Sequence, residues 1–142
     1  YYKLSSKLYS KHNFKKGFHT VPKTYKISEI ANLTDFSIPT LRYYEDLGLL
    51  RPARSSNNYR IFTDQDLKWL EFIKRAKATG LPLLKIIEYA KLREQGDGTI
   101  KARMAILEQQ EQLLCLEKEK IQQHIDFLKN KKTHYSALLV AE

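Results

Sequence analysis

Residues 37–50 read SIPTLRYYEDLGLL, and this stretch decides the fold that we predict. Ser37 is a typical helix N-cap, because its hydroxyl can accept an unsatisfied backbone N–H of the first turn. Leu41 and Tyr44 are three residues apart and would share the buried face of the helix. Gly48 is typical of the position just beyond a helix C-terminus. The stretch therefore predicts a short amphipathic helix.

A second short helix is predicted just before this one. Its apolar residues recur at helical spacing, with Ser28 as the expected N-cap and residues 34–36 as the break. These apolar residues are Ile27, Ile30, Ala31 and Leu33. Two short helices separated by about three residues are typical of a helix-turn-helix.

The residues after Gly48 predict a small β-hairpin. Two short segments flank the Ser/Asn-rich turn at residues 55–58, as in hairpins. Arg51, Arg54 and Arg60 lie in or beside these segments, and a planar guanidinium suits phosphate oxygens. We favour a wing that grips the backbone of DNA over an ordinary solvated loop.

Two further helices and one break are expected downstream. Thr63 would cap the third helix with Asp66 as the reciprocal acid of a capping box, and Pro82 would open the fourth. For Trp69 and Tyr89 we favour core packing over a small-molecule site. Residues 96–98, Gly-Asp-Gly, predict a hinge.

A seven-residue apolar repeat dominates the C-terminal part of the chain. It runs without a miss from Ile100 to Tyr135, which favours a coiled coil over a helix of a globular core. The chain has no other long helix to cover this stripe, so the expected partner is a second copy. The predicted dimerisation residues are Ile100, Met104, Leu107, Leu114, Ile121, Ile125 and Leu128.

The net charge of +9 is unevenly distributed. Residues 1–25 contain six lysines and no acid, so residues 1–24 are either a non-native or disordered extension or a lysine arm with nonspecific phosphate contacts. The sequence has no secretory signal and no run of about 18 apolar residues, so we expect no membrane association. A single cysteine suits the cytoplasm.

The candidate DNA-contacting residues lie on the second helix and on the hairpin. Polar side chains opposite the Leu41/Tyr44 face could reach base edges or phosphates. Alternatively, Arg42 is a solvated charge and Tyr43 a half-buried aromatic. The candidates are Ser37, Thr40, Arg42, Tyr43, Arg54, Asn58, Tyr59 and Arg60.

The block Thr40-Leu-Arg-Tyr-Tyr-Glu45, followed by Leu-Gly-Leu and by Tyr59-Arg-Ile-Phe62, closely resembles the MerR family of transcription regulators. The resemblance implies an antiparallel coiled-coil homodimer on a palindromic promoter site. It also implies bending and untwisting of the promoter, so that RNA polymerase meets both promoter elements. Residues 66–103 resemble the family branch that responds to aldehydes and electrophiles.

The sequence leaves the trigger unknown. Cysteines are absent from the positions used by metal-sensing relatives, so we expect neither a metal site nor a cofactor. We also expect no large C-terminal ligand domain. Cys115 could be an electrophile sensor, although we favour a bystander.

The predicted architecture is mainly α, with a DNA-binding domain at residues 25–95, a hinge at 96–98, a coiled coil at 99–135 and a short tail at 136–142. Alternatives are an effector-independent repressor or architectural protein, and a coiled-coil adaptor. An enzyme is not expected, because phosphate loops and catalytic triads are missing. We expect a cytoplasmic, nucleoid-associated protein.

Overall fold

The computed structural model describes residues 21–141, and its elements confirm the mainly helical fold. The predicted extension lies outside the described residues except for its last four. The elements are β1 (Thr24–Tyr25), α1 (Ile27–Thr34), α2 (Ile38–Asp46), β2 (Ala53–Arg54), β3 (Arg60–Thr63), α3 (Asp64–Ala78), α4 (Leu83–Glu94), a 3₁₀ turn (Asp97–Thr99) and α5 (Ile100–Val140).

Helix caps are formed by residues close in sequence, and two of the three predicted caps are confirmed. Ser37 accepts the backbone N–H of Thr40, and Thr63 forms a capping box with Asp66. The prediction of Ser28 as the cap of α1 is wrong. Lys26 holds that position because its backbone N–H donates to the Glu29 carboxylate at 3.2 Å, which starts the helix two residues earlier.

A three-stranded antiparallel sheet in the order β1-β3-β2 contains the predicted hairpin. Arg54 pairs with Arg60 between β2 and β3, whereas Tyr25 pairs with Phe62 between β1 and β3. The sequence did not predict β1, because a two-residue strand is too short to show an alternating pattern.

The core lies between the sheet and the first four helices. Leu41 and Tyr44 are each 1% exposed, as their spacing predicted. Trp69 stacks on Phe72 and Tyr89 with ring centroids 5.3 and 6.1 Å away, so the preference for core packing of these aromatics is confirmed. The other fully buried large side chains are Ile30, Phe62, Leu70, Ile73 and Ile86.

Helix α5 has 41 residues and is about 60 Å long at 1.5 Å per residue. Its first turns pack on the rest of the chain through the buried Ile106 and through Gln110, whose amide donates to the carbonyl of Thr79 at 2.7 Å. None of the described helices has a stretch long and apolar enough to cross a membrane.

Residues 96–98, predicted as a break, lie between the end of α4 and the start of α5. The Thr99 hydroxyl hydrogen-bonds there to the carbonyls of Leu92 and Gly96. The predicted tail is helical up to Val140, because the apolar pattern continues through Leu138 and Leu139.

Candidate nucleic-acid interface

The N-terminus of α2 combines a helix cap with exposed polar groups. The Ser37 hydroxyl accepts the Thr40 backbone N–H at 3.2 Å and lies 2.8 Å from the Thr40 hydroxyl. Ser37 is exposed and Thr40 is half-buried. The cap therefore holds the Ser37 and Thr40 hydroxyls together at the N-terminus of α2.

Arg42 and Tyr43 lie on the solvent side of α2, opposite the buried pair Leu41 and Tyr44. Tyr43 is 52% exposed, and its ring centroid lies 6.3 Å from that of the buried Tyr44. Within residues 21–141, Arg42 forms no ion pair. Its guanidinium is therefore available for an anionic partner.

The two wing arginines are held by Glu45, a residue that the sequence interpretation missed. Its carboxylate accepts a hydrogen bond from Arg54 Nη2 at 2.7 Å and another from Arg60 Nε at 2.5 Å. Arg54 and Arg60 are thus held in place by a residue of α2. The sequence offered one hint, since an acid in the last turn of a helix opposes the helix dipole and is stabilised by a nearby cation.

Burial alone would raise the pKa of Glu45, but the hydrogen bond from Arg60 and the charges of Arg60 and Arg54 outweigh it. The pKa of this carboxyl group therefore lies below its ordinary value, and the group is ionised at neutral pH. The three side chains carry a combined charge of +1.

The wing turn is shaped by Ser55 and Asn58. Asn58 adopts the left-handed conformation with φ of 63°, which asparagine tolerates better than most residues. The backbone N–H of Tyr59 donates to the Ser55 hydroxyl at 3.1 Å. Tyr59 itself is 73% exposed, so its ring projects from the wing as a potential contact.

Arg51 does not join the wing arginines but pairs with a residue of α4. Its Nε lies 3.1 Å from a carboxylate oxygen of Glu94 at the end of α4. The pair joins the segment before β2 to α4, so only two of the three arginines singled out in the sequence converge on α2.

The seven predicted dimerisation residues form an exposed stripe along α5. Each is at least 38% exposed in the single chain. The stripe continues into a groove of about 480 Å³ between α3 and α5, to which Leu107 and Leu114 contribute. Its other apolar lining residues are Phe72, Ala76 and Leu81.

Cys115 lies exposed on α5, in a shallow surface depression that also contains Glu111 and Glu119. The described part of the chain contains no group of three His, Cys, Asp or Glu side chains arranged to hold a metal ion.

Comparison with known proteins adds independent evidence. Residues 25–92 match the family model described as MerR HTH family regulatory protein. An uncharacterised HTH-type transcriptional regulator of Haemophilus influenzae is 33% identical over 79% of this chain and 84% of its own length. The chain belongs to the MerR family. The HTH-type transcriptional regulator AdhR of Bacillus subtilis is 39% identical, over 62% of this chain and 64% of AdhR.

Solved structures of MerR regulators share the fold. HiNmlR, a MerR family regulator lacking the sensor domain that was crystallised bound to promoter DNA, has a TM-score of 0.67 and 32% identity. The similarity covers 80% of this chain and 91% of that one. For a MerR family protein from Listeria monocytogenes the TM-score is 0.69 and the identity 30%, over 82% of this chain and 89% of that one. This MerR chain is therefore a helix-turn-helix transcription regulator.

Proposed function

We propose that this MerR protein binds palindromic promoter DNA as a homodimer and controls transcription by bending and untwisting the promoter. The observation that carries the proposal is the exposed pair Arg42 and Tyr43 on α2, beside a wing whose arginines are fixed to the same helix. We assign Arg42, Tyr43, Arg54 and Arg60 to phosphates, and Ser37 and Thr40 to the groove. Asn58 and Tyr59, on the wing, would contact the sugar-phosphate backbone of the DNA.

Dimerisation through α5 is supported by the exposed apolar stripe, which water would otherwise solvate at a cost. The charges of α5 support an antiparallel pair. Residues 108–119 contain four glutamates and one lysine, whereas residues 120–132 contain four lysines and one aspartate. Antiparallel helices would place the acidic half of each copy against the basic half of the other, with the two-fold axis near Ile121.

The groove between α3 and α5 would receive the last turns of the partner helix in this arrangement. With the axis near Ile121, Leu107 lies opposite position 135 of the second copy. The groove would then join the DNA-binding unit of one copy to the coiled coil of the other. An effector acting on either element could change the spacing of the two wings. RNA polymerase would then bind the promoter whose shape this spacing controls.

The test is selection of bound fragments from genomic DNA with the purified protein. We expect palindromic sites inside promoters with an overlong spacer, and binding that weakens steeply with salt. Arg42→Ala should weaken binding and reduce the salt slope by about 1. The matched control is Lys91→Ala, which removes an exposed positive charge on α4. Two outcomes would favour a protein-interaction adaptor instead. One is a selection that enriches no DNA fragment, and the other is a protein partner that the Arg42→Ala variant binds as tightly as wild type does.

A second candidate, an effector-independent repressor, is favoured by the similarity to HiNmlR, a regulator lacking the sensor domain. Promoter output that responds to no aldehyde, oxidant or metal would support it. A Cys115→Ser variant that retains an aldehyde response would exclude the thiol-sensor hypothesis. We infer that the protein is not an enzyme and acts in the cytoplasm on the nucleoid.

A further inference from the structure

We propose that Glu45 determines the DNA specificity of this protein by restraining the charge of the wing, so that the wing alone binds DNA weakly. The inference rests on the proposed DNA-binding function. It assigns to an acidic residue a role in rejecting the wrong DNA.

The geometry places one carboxylate between two strands. Arg54 and Arg60 are direct cross-strand partners, and their side chains reach separate oxygens of the same Glu45 carboxylate. Glu45 is nine residues from Arg54 and fifteen from Arg60 in sequence. The contact therefore fixes the wing relative to α2, the helix that would enter the major groove.

The position of Glu45 is unfavourable for DNA affinity, so we look for its role in specificity. The residue lies in the last turn of α2, where a carboxylate opposes the helix dipole. Its side chain is 22% exposed and lies between two arginines assigned to phosphate contacts. A carboxylate there repels phosphate, so it reduces attraction to any duplex regardless of sequence.

The remaining hydrogen-bonding capacity of the arginines is directional. In the described residues, Arg60 donates to Glu45 through Nε alone, and Arg54 also donates through Nη1 to the Asn58 carbonyl at 3.4 Å. The Nη groups of Arg60 remain for a phosphate in one orientation. A donor fixed in this way hydrogen-bonds well to a DNA phosphate only if that phosphate is correctly placed when α2 fits its site. DNA whose phosphates lie elsewhere would be bound less tightly.

The experiment compares Glu45→Gln with wild type on two duplexes: the site enriched by genomic selection and a scrambled duplex of equal length and composition. The added net charge should strengthen binding to the scrambled duplex by about tenfold at roughly 0.05 M salt and steepen the salt slope by about 1. The ratio of affinities for the selected and scrambled duplexes should fall. Glu88→Gln changes charge equally in an exposed ion pair on α4 and is the matched control.

A merely structural Glu45 would give a different result, because loss of support would weaken binding to both duplexes in parallel. That outcome, or an unchanged ratio, would overturn the inference while leaving DNA binding intact. Wild-type protein that binds neither duplex would instead refute the proposed function. Circular dichroism melting shows whether the variant is folded.

A second comparison does not depend on Glu45→Gln folding. The Arg54 charge is already paired with Glu45, whereas Arg42 is unpaired among the described residues. Arg42→Gln should reduce the salt slope on the scrambled duplex by about 1, and Arg54→Gln by clearly less. If both variants reduced the salt slope equally, the proposal that Glu45 restrains the charge of the wing would be wrong.

Discussion

The indole Nε1 of Trp69 donates a hydrogen bond to the carbonyl oxygen of Leu49 at 2.7 Å, in a buried contact between α3 and the segment that leaves α2. Leu49 lies at the start of the connection from α2 to the wing. The bond satisfies a polar atom of the core and fixes where this connection begins. Since Arg93 also lies 4.4 Å from the Trp69 ring, α4 contributes to the same junction.

We expect Trp69→Phe to lower the free energy of unfolding by about 1–3 kcal/mol, because the Leu49 carbonyl would be buried without a donor. Urea denaturation followed by circular dichroism, at one protein concentration, measures the change. Leu84→Ala, at a side chain 79% exposed on α4, is the control and should stay within about 0.5 kcal/mol. A Trp69→Phe variant as stable as this control would contradict the prediction.

The Tyr25 hydroxyl donates to the Asp64 carboxylate at 2.6 Å. This hydrogen bond, with desolvation and the Asp64 charge, raises the pKa of Tyr25 to about 12 from its ordinary value of 10.0. Because the folded pKa exceeds the unfolded one, the contribution to stability is complete below pH 10. It is lost as the pH rises towards 12.

Tyr25→Phe should therefore cost about 1 kcal/mol at pH 7, and the gap to wild type should narrow between pH 10 and 12. The measurement is the free energy of unfolding of both proteins across that range. All other tyrosines are common to the two proteins and cancel in the difference. A gap that stays constant with pH would disprove the assignment.

Ser37 allows the helix cap to be separated from the DNA contact. Ser37→Ala should cost about 1 kcal/mol of stability through loss of the cap. Ser37→Asp retains a capping oxygen and suits the positive end of the helix dipole, so the fold should remain stable. Its carboxylate should nevertheless weaken binding to the selected duplex. Thermal melting and fluorescence anisotropy give the two readouts, and a Ser37→Asp protein that binds as tightly as wild type would place this helix end away from DNA.

The charge halves of α5 predict how dimer affinity responds to charge reversal. Replacing Glu108 and Glu111 by Lys should weaken the antiparallel homodimer, because both basic halves then face added positive charge. Replacing Lys129 and Lys131 by Glu in the same chain should restore it. Sedimentation equilibrium at low salt measures both dissociation constants. A parallel pair would instead be strengthened by the first change, because the two acidic halves that face each other would lose most of their mutual repulsion.

Features governed by neighbours in sequence were predictable. The caps at Ser37 and Thr63, the core pair Leu41 and Tyr44, and the exposed stripe of α5 follow from spacings of three, four or seven residues. The wing hairpin also followed from its turn residues. Each of these patterns repeats or terminates within one or two helical turns, so the chain itself records it.

The contacts that organise the candidate interface leave no such record. The Glu45 carboxylate meets Arg54 and Arg60 only because the hairpin folds back onto α2, and β1 pairs with β3 across 39 residues, from Thr24 to Thr63. Ile106 turns towards the core although it adjoins the exposed stripe. Local spacing was enough to predict the helices, the caps of α2 and α3, and the family. The tertiary structure alone decided which charges meet, because such meetings depend on distances between distant segments that no local period encodes.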